Sequence, residues 1–262
     1  MELTLDKEKL TNDSVDETML DLLKSVIGQA NEKIEDNDIG RALLFFTVRI
    51  ANTWRSIRTL RNNTADAEGF TVDAGTLLRA MFDAYLQAEY IVHEPNLADQ
   101  LASDYLEFEH VERFKSMTAV MKHENSLSEH LKASPKRTAG EARINTEYDR
   151  VKSRYFIRKK RADGTIKVGP ATRNTWHENN LAEIARLLGK EDEYDTLLRN
   201  FHGCVHSSPF AVRSGPMLAG EHVVDWASTI AARVAKLNVD HHNLRISEIY
   251  TSILSVLCKP YF

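Results

Sequence analysis

Cysteine, proline and glycine are all scarce in this chain, at two, six and eleven among 262 residues. The two cysteines, Cys204 and Cys258, are too few for a disulfide framework and form no closely spaced metal-type pair, so a reducing compartment is expected. No run approaches the roughly 18 apolar residues that a membrane span needs. The opening MELTLDKEKL is charged and has no apolar core, which argues against a signal peptide and for a cytoplasmic protein with no membrane partner. Positive charge is not in excess either: the formal net charge is −4 and the pI is near 6.2. Any contact with nucleic acid must therefore rest on a local basic patch and not on the field of the whole protein. There is no Gly-rich phosphate loop and no Gly-X-Ser-X-Gly nucleophile elbow.

What is present is a composition of 42% hydrophobic and 27% charged residues, that of a globular protein rich in helix formers. The length suffices for a substantial core. No internal repeat or linker divides it, so a single helical domain over residues 1–262 is expected, with 1–14 as a frayed N-terminus. Ser14 followed by Glu17 has the form of a capping box, and apolar residues at three- and four-residue steps carry a helix from there to Asp36–Asp38. Ile39–Arg61 is apolar on nearly all sides, which marks a central helix, and its arginines crowd the last two turns, where cations suit the helix dipole. A loop is predicted over Asn62–Gly69. Further helices are predicted at Val72–Val92, ending before Pro95, and at Asn96–His123, Gly140–Ile157 and Trp176–Leu188, the last closed by Gly189. A final long helix is predicted from about Glu221 to Leu257. The fold class is all-α, a helical bundle.

The stretch Glu191–Pro209, EDEYDTLLRNFHGCVHSSP, carries the most chemistry. At about 100° per residue, Asp195, Arg199, His202 and His206 fall in one stripe, at steps of four, three and four. Beside it runs an apolar arc of Tyr194, Leu197, Leu198, Phe201, Cys204 and Val205, so the polar row lies at the edge of a core. Burial and neighbouring charge there can tune imidazoles across neutral pH, which suits acid–base work. The plain alternative is a half-exposed helix whose histidines only hydrogen-bond. A second stripe, Arg79, Asp83 and Tyr90 with Thr76 and Gln87 close by, reads as an intrahelical ion pair. If buried, that pair needs more partners, and docking of this row against the Arg199 row would supply them.

Arg150 to Arg173 contains nine basic residues: Arg150, Lys152, Arg154, Arg158, Lys159, Lys160, Arg161, Lys167 and Arg173. Tyr148, Tyr155 and Phe156 are interleaved, and Ala162-Asp-Gly-Thr165 has the form of a hairpin turn. A small irregular or hairpin insertion near residues 158–175 is predicted, able to grip a phosphate backbone or to serve simply as a solvated excursion.

Leu77–Leu86, LLRAMFDAYL, together with Trp176, Ala185–Tyr194, Arg199 and Val205–Pro209, resembles an uncharacterised bacterial helical family, domain of unknown function family 5677, over roughly residues 40–210. In that family the first segment usually reads Arg…Glu, so Asp83 is a shortened match, and serine is common where this chain has His202. Arg199-Asn200 followed by His206 is also similar to the arginine–polar–X(4–6)–histidine motif of the HEPN superfamily, helical domains that include metal-independent ribonucleases of toxin and phage-defence systems. That resemblance implies a HEPN-like bundle acting on RNA. Arg199, His206, Asn200 and His202 would be catalytic, while Arg79, Asp83, Tyr90, Lys159, Lys160 and Arg161 would contact substrate. It implies no cofactor, a homodimer in which two copies of the motif face each other, and room for a regulatory partner protein.

Two other classes compete. In a non-catalytic binding or regulatory module, the Arg199 and His206 row would be a polar network that fixes helix register. In a metal protein, His202 and His206 have zinc-type i, i+4 spacing, with Cys204, His241 or His242 as further ligands. Gly203, however, stands where a His-Glu-X-X-His helix has its glutamate, and the site is expected to hold no metal.

Overall fold

A computed structural model describes residues 12–34, 37–63, 67–123, 135–161, 164–205 and 220–258. In chain order these form α1 (Asn12–Asn31), α2 (Asp38–Asn63), α3 (Ala67–His93), α4 (Ala98–Lys122) and α5 (Pro135–Val151). A 3-10 turn (Lys152–Tyr155) then leads into β1 (Phe156–Lys160) and β2 (Ile166–Thr172), followed by α6 (Leu181–Leu187), α7 (Glu191–Val205), α8 (Gly220–His242) and α9 (Glu248–Leu257). The protein is an all-α bundle whose described β structure is the one antiparallel β1–β2 ribbon. No described helix is long and apolar enough to cross a membrane.

The residues gather into two compact units, Met1–Ala98 with Asn180–Phe262, and Asp99–Asn179. At the centre of the first, α2, α3 and α8 each pack on the other two. Leu43, Phe46, Ile50, Trp54 and Ile57 of α2 recur at steps of three and four and are all buried. Phe82 of α3 meets Trp226 of α8 edge-on at 6.5 Å. Two polar contacts cross this core, Trp54 Nε1 donating to Ser228 Oγ at 3.2 Å and Asn238 Nδ2 donating to Thr47 Oγ1 at 2.6 Å. Helix α1 lies on α2 and α8, where Asp16 pairs with Arg58, and α9 packs on α1 and α8. Phe45 of α2 and Ile249 of α9 are more than half exposed, at 53% and 57%.

Several boundaries differ from expectation for local reasons. Helix α1 is already formed at Asn12, so Ser14 lies inside it and not ahead of it, while residues 1–11 lie outside the described residues. A capping box is found instead at Asn180. Its Oδ1 accepts from the Glu183 N–H at 3.0 Å, and Glu183 Oε2 accepts from the Asn180 N–H at 2.7 Å. That cap starts α6 at Leu181, five residues later than predicted. Gly189 closes it as expected, at φ 66°, with the Lys190 N–H donating to Ala185 O at 2.7 Å. Helix α3 starts at Ala67, earlier than Val72.

The single long C-terminal helix is divided in two. Asn243 adopts φ 49°, and the Leu244 N–H reaches back to Val239 O at 3.1 Å, a helix stop built on asparagine. Lys33 Nζ satisfies the freed carbonyl of His242 at 2.7 Å, and the Ser247 hydroxyl then caps α9. Apolar periodicity continues through this break, so spacing alone could not reveal it.

In the second unit Phe108, Val111, Val151, Tyr155 and Trp176 are buried. Tyr155 donates its hydroxyl to Asp104 O at 2.7 Å and lies edge-on to Phe108 at 5.2 Å. It is this anchored tyrosine, at the end of the 3-10 turn, that aims the chain into β1. Helix α5 accordingly stops at Val151, short of the predicted Ile157.

Candidate functional site

The α3 row of polar residues is organised around Arg79. Its Nε donates to Asp83 Oδ2 at 3.1 Å, and its Nη2 lies 3.0 Å from Asp83 Oδ1. The same Nη2 crosses to α7 and donates to the Tyr194 hydroxyl at 3.2 Å, and the guanidinium sits 4.7 Å from the centre of that ring. Arg79 is only 9% exposed, and its Nη1 has no hydrogen-bond partner among the described residues. Burial holds the Asp83 carboxyl above its usual range, while Arg79 and the more distant Arg49 of α2 pull the other way without cancelling the effect. Gln87 donates to Asp83 O at 3.1 Å, and Tyr90, two turns along the row, is half-buried.

A second polar cluster holds the start of α7. Arg233 of α8 donates to both Glu193 oxygens, at 2.6 and 2.9 Å, and both side chains are buried. The Tyr85 ring lies under Arg233 at 5.8 Å and under Lys190 at 5.6 Å, and Lys190 reaches Glu89 at 3.5 Å. Burial, followed by the Glu89 carboxylate, pushes the Tyr85 phenol far above its ordinary value.

Further along, Gly75 of α3 faces Phe201 of α7 so closely that a Cβ there would lie 2.1 Å from a ring carbon. The contact pairs 89 with 190, 79 with 194 and 75 with 201 therefore run in opposite senses, and α3 and α7 are antiparallel. Arg199, Asn200 and His202 lie on α7 between the level of Tyr194 and just beyond Phe201. Their side chains, with that of Cys204, lie outside the described residues, as does the whole of His206. Asp195 is exposed.

Helices α3 and α7 pack together, while the expected meeting of the Arg79 row with the Arg199 row falls on side chains outside the described residues. What Arg79 meets there is Tyr194, which periodicity had assigned to the apolar arc. Glu193 and Arg233 were not singled out at all. The available signal was Arg233 itself, the one charged residue in the run Trp226–Ala235. Lys159 and Arg161, predicted to contact substrate, are exposed on and just beyond β1, in the other compact unit, and the Lys160 side chain is outside the described residues.

Among the described residues no three His, Cys, Asp or Glu side chains converge as a metal site would require. His241 and His242 close α8, where Asn37 Nδ2 lies 3.1 Å from His241 Nε2 and the His242 ring packs on Gly40.

Residues 40–215, about two-thirds of the chain, match the model of a family described as "Family of unknown function (DUF5677)". The chain belongs to this family. The matched span starts in α2 and takes in α3, α7 and the ribbon, so the family pattern contains both sides of the polar seam. No curated protein and no solved structure matches the chain.

Proposed function

We propose that this family member is a metal-independent endoribonuclease that works as a homodimer, in the manner of the HEPN nucleases of toxin and phage-defence systems. The observation that carries the reading is the placement of Arg199, Asn200 and His202 on α7, a helix pinned to its neighbours through Glu193, Tyr194 and Phe201. A rigid helix whose sequence carries a cation and an imidazole is the kind of element that positioned acid–base chemistry requires.

RNA supplies its own nucleophile. His206 takes the proton from the 2′-hydroxyl as that oxygen attacks the adjacent phosphorus, and Arg199 stabilises the charge on the phosphorane oxygens. A second imidazole, His202 or the corresponding histidine of the other copy, gives a proton to the departing 5′-oxygen. Asn200 orients the phosphate. The products are a 2′,3′-cyclic phosphate and a 5′-hydroxyl end, and neither metal nor cofactor enters the balance. Arg79, buried, and Asp83, half-buried, are already hydrogen-bonded to each other and act as positioning residues for α7.

The test is incubation of the full chain with mixed RNA and with tRNA in excess chelator, followed by end-group analysis, beside Arg199→Ala and His206→Ala. Cleavage to cyclic-phosphate ends that both substitutions abolish supports the proposal. No cleavage above the background of the variants, across several RNAs, overturns it.

One observation favours a second reading, a non-catalytic binding or regulatory module. The Arg79–Asp83–Tyr194 group is hydrogen-bonded from one helix to the next, as a network that fixes helix register is.

A further inference from the structure

The nine basic residues between Arg150 and Arg173 are not equivalent once their partners are known. Arg150 pairs with Glu107 and Glu147, Lys152 with Asp149, and Arg154 with Glu107. Arg158 and Arg173 share Glu178, and Arg173 also donates to Trp176 O at 2.7 Å. The described carboxylates of the unit thus neutralise the base of the ribbon and leave its outer half without a described partner. Lys159, Arg161 and Lys167 have no carboxylate partner among the described residues.

The register makes this surplus specific. Lys159 stands directly opposite Lys167 across the two strands. Side chains so paired share one face with Cβ atoms about 5 Å apart, and like charges in that position weaken a ribbon. A two-stranded ribbon is already marginal by itself, and this one buries little of its tip, with Ile166 and Val168 at 64% and 54% exposure. Alternation puts those two apolar residues on the opposite face from Lys167, beside which the lysine face carries the side-chain-free Gly169. A protein partner needs an apolar patch at the centre of its footprint, which the paired lysines do not offer. Two adjacent ammonium groups on an exposed face suit a repeating line of negative charge.

We propose that the lysine face of the β1–β2 ribbon, centred on Lys159 and Lys167, binds the phosphodiester backbone of a single nucleic-acid strand without reading its sequence. The inference rests on the reading of the chain as one that acts on RNA, and it names the element that holds the strand. An anion between the two lysines removes the repulsion that the free ribbon carries. Lysine, a point charge without the planar fork of arginine, fits a contact that grips charge and ignores bases.

The experiment measures binding of a labelled, non-cleavable 2′-O-methyl oligonucleotide to the full chain by fluorescence anisotropy over a series of salt concentrations. Lys159→Gln with Lys167→Gln should weaken binding at low salt on the order of tenfold and reduce the salt slope by about 1.4, the value for two lost contacts to a single strand. Lys159→Arg with Lys167→Arg should keep most of the affinity, and Lys236→Gln, at an exposed site elsewhere, should change nothing. Circular dichroism of each variant establishes that the fold is retained. An unchanged affinity and slope in the glutamine double variant overturns the proposal, as does a wild-type chain that binds anionic vesicles or polyglutamate but not the oligonucleotide. RNA cleavage that is indifferent to the double variant removes the ribbon and leaves the nuclease reading standing. Binding that depends on the lysines without any cleavage of natural RNA does the reverse.

Discussion

Glu193 and Arg233 face each other through two charge-assisted hydrogen bonds of 2.6 and 2.9 Å, with both side chains buried between α7 and α8. A paired ion in the interior adds little over a well-packed apolar pair, but half of one is costly, because the remaining charge stays out of water. Glu193→Ala should therefore lower the unfolding free energy by about 3–5 kcal/mol, read from urea denaturation followed by circular dichroism. Glu193→Met combined with Arg233→Leu should recover a large part of that loss. A single substitution that costs no more than an exposed one would mean that the pair is solvated.

Gly75 sets how closely α3 and α7 approach. Alanine in a helix interior gains about 1 kcal/mol over glycine from propensity, yet a Cβ here would lie 2.1 Å from the ring of Phe201, which is fully buried. Overpacking of that kind costs about 1–3 kcal/mol, so the clash wins and Gly75→Ala should destabilise. Adding Phe201→Leu makes room for the methyl group and should lessen the penalty. Thermal melts of the single and double variants measure both effects, and a Gly75→Ala chain that melts higher than wild type would refute the close approach.

His242 gives the chain a sensitivity to acid. Burial, then the neighbouring His241 and Lys33, lower its pKa from the ordinary 6.5, and its Nε2 has no hydrogen-bond partner among the described residues. The unfolded chain then binds a proton more readily than the folded one. The stability tied to this residue is present above pH 6.5 and is lost as the pH falls toward the lowered folded-state value. His242→Gln should flatten the decline in stability between neutral pH and about pH 5. Urea titrations at several pH values test this, and parallel declines in the two proteins would assign the effect elsewhere.

The sequence announces structure most clearly where one residue type dictates a backbone conformation. Gly189 stops α6 in the left-handed region, and α3 ends at His93, ahead of Pro95. Asn243 stops α8 by the same geometry and is easily overlooked, because asparagine is also tolerated inside helices and the apolar pattern runs on past it. The polar seam divides in a similar way. The Arg79–Asp83 pair can be read from i, i+4 spacing alone, whereas its partner Tyr194 counts as apolar in any periodicity and acts through its hydroxyl. Which basic residues keep their charge free depends on Glu107, Asp149 and Glu178, and no spacing rule links Glu107 to Arg150 across 43 positions.

Arg79 and Arg199 separate the catalytic reading from the structural one. Arg79 is buried against Asp83 and Tyr194, so Arg79→Ala leaves a carboxyl and a hydroxyl without their donor, at a cost of about 2–4 kcal/mol. Its activity should fall only as far as its folded fraction does. Arg199→Ala, if that guanidinium serves the phosphorane, should shift the melting temperature by no more than a typical surface change, about 2 °C, while removing cleavage. Melting curves and cleavage rates on the same two preparations decide the matter. A large drop in stability at position 199 with no cleavage by the wild type would make the α7 row part of the frame, and the chain a module that binds without cutting.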